Sequence, residues 1–178
     1  MQLTQQEKDY LKKLAFKSIQ TYMDGDPDPD LALDSEILKK NCGAFVTLKI
    51  GGELQGCIGY IRGIKPLYAA IIEMARAAAF EDPRFPSLKK SQLDKIEIEI
   101  SVLSPLEKIK NTDEIEVGKH GLLIRQGIYS GLLLPQVATE YNWDRETFLR
   151  HTCIKAGLPE DAYKEAETEI MTFTAEVF

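Results

Sequence analysis

Three cysteines in 178 residues, with no Cys-x-x-Cys pair, do not make a disulfide framework. Two histidines and no His-Glu-x-x-His leave a dedicated zinc site without ligands. No stretch approaches the roughly 20 apolar residues of a membrane helix. The opening segment, Met1 to Lys8, is polar and has no apolar signal region. The glycines have neither dinucleotide nor P-loop spacing. In Gly127-Ile-Tyr-Ser-Gly131 the serine stands one place late for a nucleophile elbow. Basic clusters are missing too. Lys plus Arg is 22 against 28 Asp plus Glu, a net charge of −6, which argues against binding a phosphate backbone. These absences predict a reduced, cytoplasmic protein with no resident metal or cofactor and neither nucleic acid nor membrane as partner.

What is present reads as one domain, 1–178, of helices and hairpins. Thr4 and Glu7 have capping-box spacing. Leu11, Leu14, Ala15, Ile19 and Tyr22 then share a face, so the spacing predicts a helix over roughly Gln5 to Met23 within a 4–24 segment. Asp24-Gly-Asp-Pro-Asp-Pro-Asp30 stops it. Its four aspartates lack the glycine and closing glutamate of a calcium loop, so solvated loop is the better reading. Gly43 to Ile50 and Glu53 to Ile61 read as strands joined by Gly51-Gly52. In that register paired residue numbers sum to 103, and Cys57 faces Val46. Pro66 to Phe80 is an alanine-rich, buried helix, ended by Asp82-Pro83-Arg84-Phe85-Pro86. Ile96, Ile98, Ile100 and Val102 alternate with polar residues as in a half-buried strand.

The order then recurs. Gly121 to Arg125, a Gln126-Gly127 turn and Ile128 to Leu134 make a second hairpin. Pro135 starts a helical stretch, and Trp143 to Ala156 follows, with Asp144 as N-cap and Gly157 as stop. Glu169 to Phe178 is a last strand. The two turns stand 75 residues apart, an offset that also superposes Gly56 on Gly131. We therefore expect an α+β fold from a duplicated hairpin–helix–strand unit, about 43–104 and about 118–178. Its mixed or antiparallel, barrel-like sheets carry helices outside and a cleft at the junction.

The candidate site centres on Leu54-Gln55-Gly56-Cys57-Ile58-Gly59. Glycine inside a strand marks a bulge or a close approach by backbone or ligand, so Gly56 and Gly59 are candidate binding positions. Cys57 between them is either a thiolate nucleophile or a packed apolar side chain, the commoner role for cysteine. His120 is the candidate base for Cys57; its alternative role is to hydrogen-bond backbone at a strand end. Arg84 offers a fork for carboxylate or phosphate beside Asp82; the alternative is a mutual salt bridge that stiffens the loop. Cys42 and Cys153 read as core, and His151 as surface.

Seven segments in order carry a family resemblance: Gly43-Ala-Phe-Val-Thr-Leu48, Leu54-Gln-Gly-Cys-Ile-Gly59, Ala79-Phe-Glu-Asp-Pro-Arg-Phe85, Glu99-Ile-Ser-Val-Leu-Ser-Pro105, Gly118-Lys-His-Gly-Leu122, Gly131-Leu-Leu-Leu-Pro-Gln-Val137 and Cys153-Ile-Lys-Ala-Gly-Leu-Pro159. The chain resembles the AMMECR family, in microbes called AmmeMemoRadiSam system protein A, over nearly its whole length. Gln55 departs from the arginine usual there and removes a cation beside the cysteine. The resemblance implies a duplicated α+β fold with a cleft near the cysteine motif. It also implies a setting beside Memo-like and radical-SAM proteins, but it supplies no reaction. Radical-SAM chemistry needs a three-cysteine cluster site that this chain lacks, so such a reaction would belong to a partner. Two readings follow: a small-molecule or catalytic cleft around Cys57, or a non-catalytic adaptor for those partners.

Overall fold

Alternating apolar residues and two helical faces divide the chain into two compact units, one running to Leu103 and taking in Glu176–Phe178, the other Ser104–Ala175. The structure is a computed structural model that describes residues 2–30 and 32–178.

The first unit opens with helix α1, Gln5–Asp24. Its capping box forms as the sequence predicts: Thr4 Oγ1 accepts from the Glu7 amide and the Glu7 carboxylate accepts from the Thr4 amide. Gly25 closes the other end at φ 74°, a left-handed conformation cheap only for glycine. Strands β1 (Gly43–Ile50) and β2 (Glu53–Tyr60) make the first hairpin. Helix α2 (Leu67–Phe80) follows, then strand β3 (Ile96–Leu103). Pro66 precedes the first helical residue as the N-cap, where its missing N–H costs nothing.

β1 is the central strand, antiparallel to β2 on one side and β3 on the other. Ala44, Val46 and Leu48 are fully buried on the inner face with Ile100 and Val102. Against them α2 lays Ile71, Met74, Ala75 and Ala78, and α1 lays Leu11, Ala15 and Ile19. Small side chains on α2 let the helix come close. The buried Ser18 hydroxyl ties α1 to α2 by donating to the Ile72 carbonyl at 2.7 Å. The other face of the sheet carries Phe45, Thr47 and Lys49 and is only partly buried.

The sequence register fails in one place. Between Leu48 and Lys49 the ladder shifts, so Leu48 pairs Gly56 while Lys49 pairs Leu54. Gln55 is the surplus residue of a β-bulge. Cys57 therefore faces Thr47, not Val46, and stands on the outer face. A one-residue slip moves a side chain to the other face of a sheet.

In the second unit β5 (His120–Gln126) pairs β6 (Tyr129–Leu133) and β7 (Glu169–Val177), both antiparallel. The two-residue strand β4 (Glu107–Lys108) lies on β7. Helices α3 (Pro135–Glu140) and α4 (Arg145–Lys155) supply the remaining cover, with Phe148, Leu149 and Cys153 in the core beside Leu122 and Ile124. Asp144 caps α4 by accepting from the Thr147 amide, so Trp143 lies before the helix and not inside it. Gln126 pairs Tyr129, so the hairpin turn is Gly127-Ile128, one place later than the sequence spacing predicts. Gly127 supplies the positive φ of 58°, and Ile128 is left pointing into solvent. No helix among the described residues is long and apolar enough to cross a membrane.

Candidate functional site

β2 is an edge strand of the first sheet. An edge leaves backbone N–H and C=O groups without a strand partner, and a folded chain must satisfy or cover them. At Cys57 both groups are held by side chains. The Asp82 carboxylate accepts from the Cys57 amide at 2.9 Å, and Arg84 Nη2 donates to the Cys57 carbonyl at 3.2 Å. Asp82 and Arg84 are in turn locked to each other: Nε to Oδ1 at 2.9 Å and Nη2 to Oδ2 at 2.7 Å. The Arg84 amide also donates to Asp82 Oδ1 at 3.1 Å. An ion pair thus stands where a neighbouring strand would. The stiff loop after α2, with Pro83 and Pro86 restricting the backbone on either side, delivers both members to the strand edge.

The two partners live in different environments. The Asp82 side chain is 2% exposed and the Arg84 side chain 55%. Hydrogen bonds from the Arg84 guanidinium, then from the backbone amides of Cys57 and Arg84, hold the Asp82 carboxyl well below the usual carboxylate range despite its burial. The same pairing pushes Arg84 up. The guanidinium lies 5.3 Å from the Phe85 ring centroid and keeps an open flank toward solvent.

Cys57 itself is half-buried on the outer face. The Thr47 hydroxyl, directly across the ladder, donates to its sulfur at 3.2 Å. Across the other side of β1, Thr47 pairs Glu99, and Lys49 reaches the Glu99 carboxylate at 3.1 Å. One row of side chains over three strands thus carries a thiol, a hydroxyl and a carboxylate, with an ammonium beside the carboxylate. The hydroxyl fixes the sulfur in place on this row. Thr47 and Glu99 are the participants the sequence reading missed. Gly56 was the available signal, because a glycine in a strand interior often marks a bulge and the bulge sets this row.

The glycines have protein neighbours of their own. A Cβ on Gly56 would stand 1.9 Å from the Ala78 carbonyl oxygen, so this glycine admits the backbone of α2 on the inner face. A Cβ on Gly59 would meet the Phe45 ring at 2.3 Å and the Ala44 carbonyl at 2.4 Å. The close approach that the sequence predicts at both positions is made by the chain itself.

The other cysteines differ from Cys57. Cys42 and Cys153 are buried, and burial pushes both thiols up. His120 begins β5 in the second unit. Its Nδ1 accepts from the Glu116 amide at 3.1 Å, which leaves Nε2 as the ring's N–H in the neutral form. His151 is exposed on α4 and stacks on Trp143 at 3.9 Å between ring centroids.

Residues 12–178 match the AMMECR1 family. A Methanothermobacter thermautotrophicus protein is 43% identical over 99% of this chain and 95% of its own length. Protein MK0488 of Methanopyrus kandleri is 43% identical over 99% of this chain and 89% of its own. Among solved structures, the crystal structure of the uncharacterized protein PH0010 from Pyrococcus horikoshii superposes with a TM-score of 0.87. It is 41% identical, covering 94% of this chain and 88% of that one. With a family match across nearly all its length and relatives this similar from end to end, the chain belongs to the AMMECR1 family.

Proposed function

We propose that the outer face of the first sheet is a small-molecule site whose reactive group is the Cys57 thiol. The observation that carries this reading is the hydrogen bond from Thr47 to the sulfur, on a cysteine whose backbone is pinned on both sides by Asp82 and Arg84. A merely packed thiol needs neither. Arg84, half in water and already oriented by Asp82, suits the carboxylate or amide oxygen of a small acidic or amide-bearing substrate. The chemistry is nucleophilic. The thiolate forms a C–S bond to a carbonyl carbon, the leaving amine departs with a proton, and water then releases the acid and restores the thiol. The setting proposed is the reducing cytoplasm, which keeps a reactive thiol such as Cys57 reduced.

Site-resolved alkylation of the native protein across pH, read by mass spectrometry, tests the proposal with Cys42 and Cys153 as internal controls. Cys57 is expected to label first at every pH and the other two only as the protein unfolds. Labelling of Cys57 no faster than the fully buried Cys153 would sink the thiol mechanism.

A second reading is favoured by one surface feature. In the second unit Tyr141 stacks on Trp143 at 5.1 Å, His151 stacks on the same indole, and Tyr141 and Ile154 are exposed. His151 and Ile154 share a face of α4. Aromatic surface of this kind suits a protein partner, and the partners proposed are Memo-like and radical-SAM proteins. Co-purification with a co-expressed Memo-like protein, lost on Tyr141→Ala, is the expected result. Recovery of neither partner would remove this reading.

A further inference from the structure

A hollow of the first unit adjoins the cysteine row and shares Lys49 and Glu99 with it, but Cys57 and Thr47 are not in its lining. It measures about 830 Å³, within the range of small-molecule sites. It wraps the edge of β3 beside α1, with Phe16, Ile98 and Phe178 as its apolar lining. Around them stand Lys12, Lys13 and Lys17 of α1, Lys49 of β1, and Glu97 and Glu99 of β3. Helical spacing explains the α1 contribution: Lys12 and Phe16, and Lys13 and Lys17, are four apart and form adjoining ridges.

The charge here runs against that of the chain. Four ammonium groups face two carboxylates, whereas the whole protein carries a net charge of −6. Lys49 and Glu99 neutralise each other at 3.1 Å. Lys17 donates to Gln20 at 3.1 Å, and among the described residues Lys12, Lys13 and Lys17 form no ion pair. The backbone adds a donor. The Ile100 amide bonds the Phe178 carbonyl across the β3 edge, and alternation turns the Ile98 N–H to that same edge.

We infer that this groove is a binding site for a small amphipathic anion, an apolar ring or chain bearing one acidic group. The apolar body lies on Phe16, Ile98 and Phe178. The acidic group meets the α1 ammoniums, which reach over the lining from the helix surface. Lysines bury their stems on apolar surface while the charged ends stay wet, so the site needs no rearrangement to accept such a molecule. Carboxylate and phosphate ends satisfy the same groups.

Fluorescence titration of the intact protein with 8-anilinonaphthalene-1-sulfonate tests this. The expected result is saturable binding at one site that weakens steeply between 0.05 and about 1 M salt, as the screening length shrinks from above 10 Å to about 3 Å. Lys13→Glu combined with Lys17→Glu, both exposed on α1, should weaken binding by about tenfold or more. Lys39→Glu, on a lysine already paired with Asp34 and Glu36, should leave it unchanged. N-phenyl-1-naphthylamine, which keeps the rings without the sulfonate, should bind more weakly. Displacement of the dye by decanoate or by decyl phosphate supports the site and says which acidic group it prefers. Equal affinity for the neutral dye, indifference to the double substitution, or displacement by neither compound would overturn the inference.

Discussion

Asp82→Ala is the most informative single change in this fold. The carboxylate is nearly closed to water and accepts four hydrogen bonds, two from backbone amides and two from the Arg84 guanidinium. Because the guanidinium side is more than half exposed, solvent screening discounts that half. The backbone half remains. A buried charged acceptor is worth about 1.5–3 kcal/mol per bond, and its loss also strands the Cys57 amide at the sheet edge. A total cost of about 3 kcal/mol follows, a large share of the roughly 5–15 kcal/mol that holds a domain together. For a chain of this size that lowers the melting temperature by about 6–12 °C. Thermal unfolding by circular dichroism reads it directly. The pH dependence gives the sign. Since the folded carboxyl lies below its unfolded value, its contribution is complete above about pH 4–5, begins to fall below the unfolded value near 3.9 and is lost only as the pH drops through the lower folded value. The gap between parent and Asp82→Asn should therefore be constant from pH 7 to 5 and narrow below 4. An Asp82→Ala protein melting within about 2 °C of the parent, or a gap that ignores acid, would refute the clamp.

Gly56→Ala should destabilise by about 3 kcal/mol or more, because its Cβ strikes helix backbone that cannot yield, whereas Gly52→Ala, with open space and φ 81°, should cost only about 1–2 kcal/mol in urea titrations. Thr47→Val keeps the volume and removes the donor to sulfur, so alkylation of Cys57 at pH 7 should slow by about two- to tenfold, the worth of one hydrogen bond. Deletion of Gln55 takes out the surplus residue and leaves a regular ladder; Cys57 should keep its outer face and still label first, and a Cys57 that labels only on unfolding would contradict the register.

Much of the fold was legible because local signals agreed with one another. The capping box, Gly25, Pro66, Asp144 and the isoleucine alternation each name an element end or a face by a mechanism that needs no long-range information. The ion pair between Asp82 and Arg84 was also readable, since two residues apart in a proline-bound loop leaves them little else to reach. What those side chains hold was not. The Cys57 amide and carbonyl are 25 and 27 residues away from them, and nothing in a sequence announces which edge a loop will cover. The second hairpin slipped by one place for a simpler reason: Gly127 serves as the first turn residue, not the second, and tolerates an exposed isoleucine after it.

The bulge decides what kind of cysteine this is. With an unbroken ladder Cys57 would oppose Val46 on the face where Val46 is wholly buried, under α2, and would be one more small core residue. The extra residue at Gln55 turns Gly56 inward instead, where only a residue without a side chain can meet the Ala78 carbonyl. The sulfur turns outward, opposite a hydroxyl. Such a bulge on an edge strand twists the strand away from its ladder, so the segment beyond it needs fixing, and the Asp82–Arg84 pair fixes it at Cys57 rather than at a neighbour. Gly56, the bulge, the clamp and Thr47 are therefore one arrangement. Each is costly or pointless alone, and together they present one thiol at a fixed place on a half-open surface.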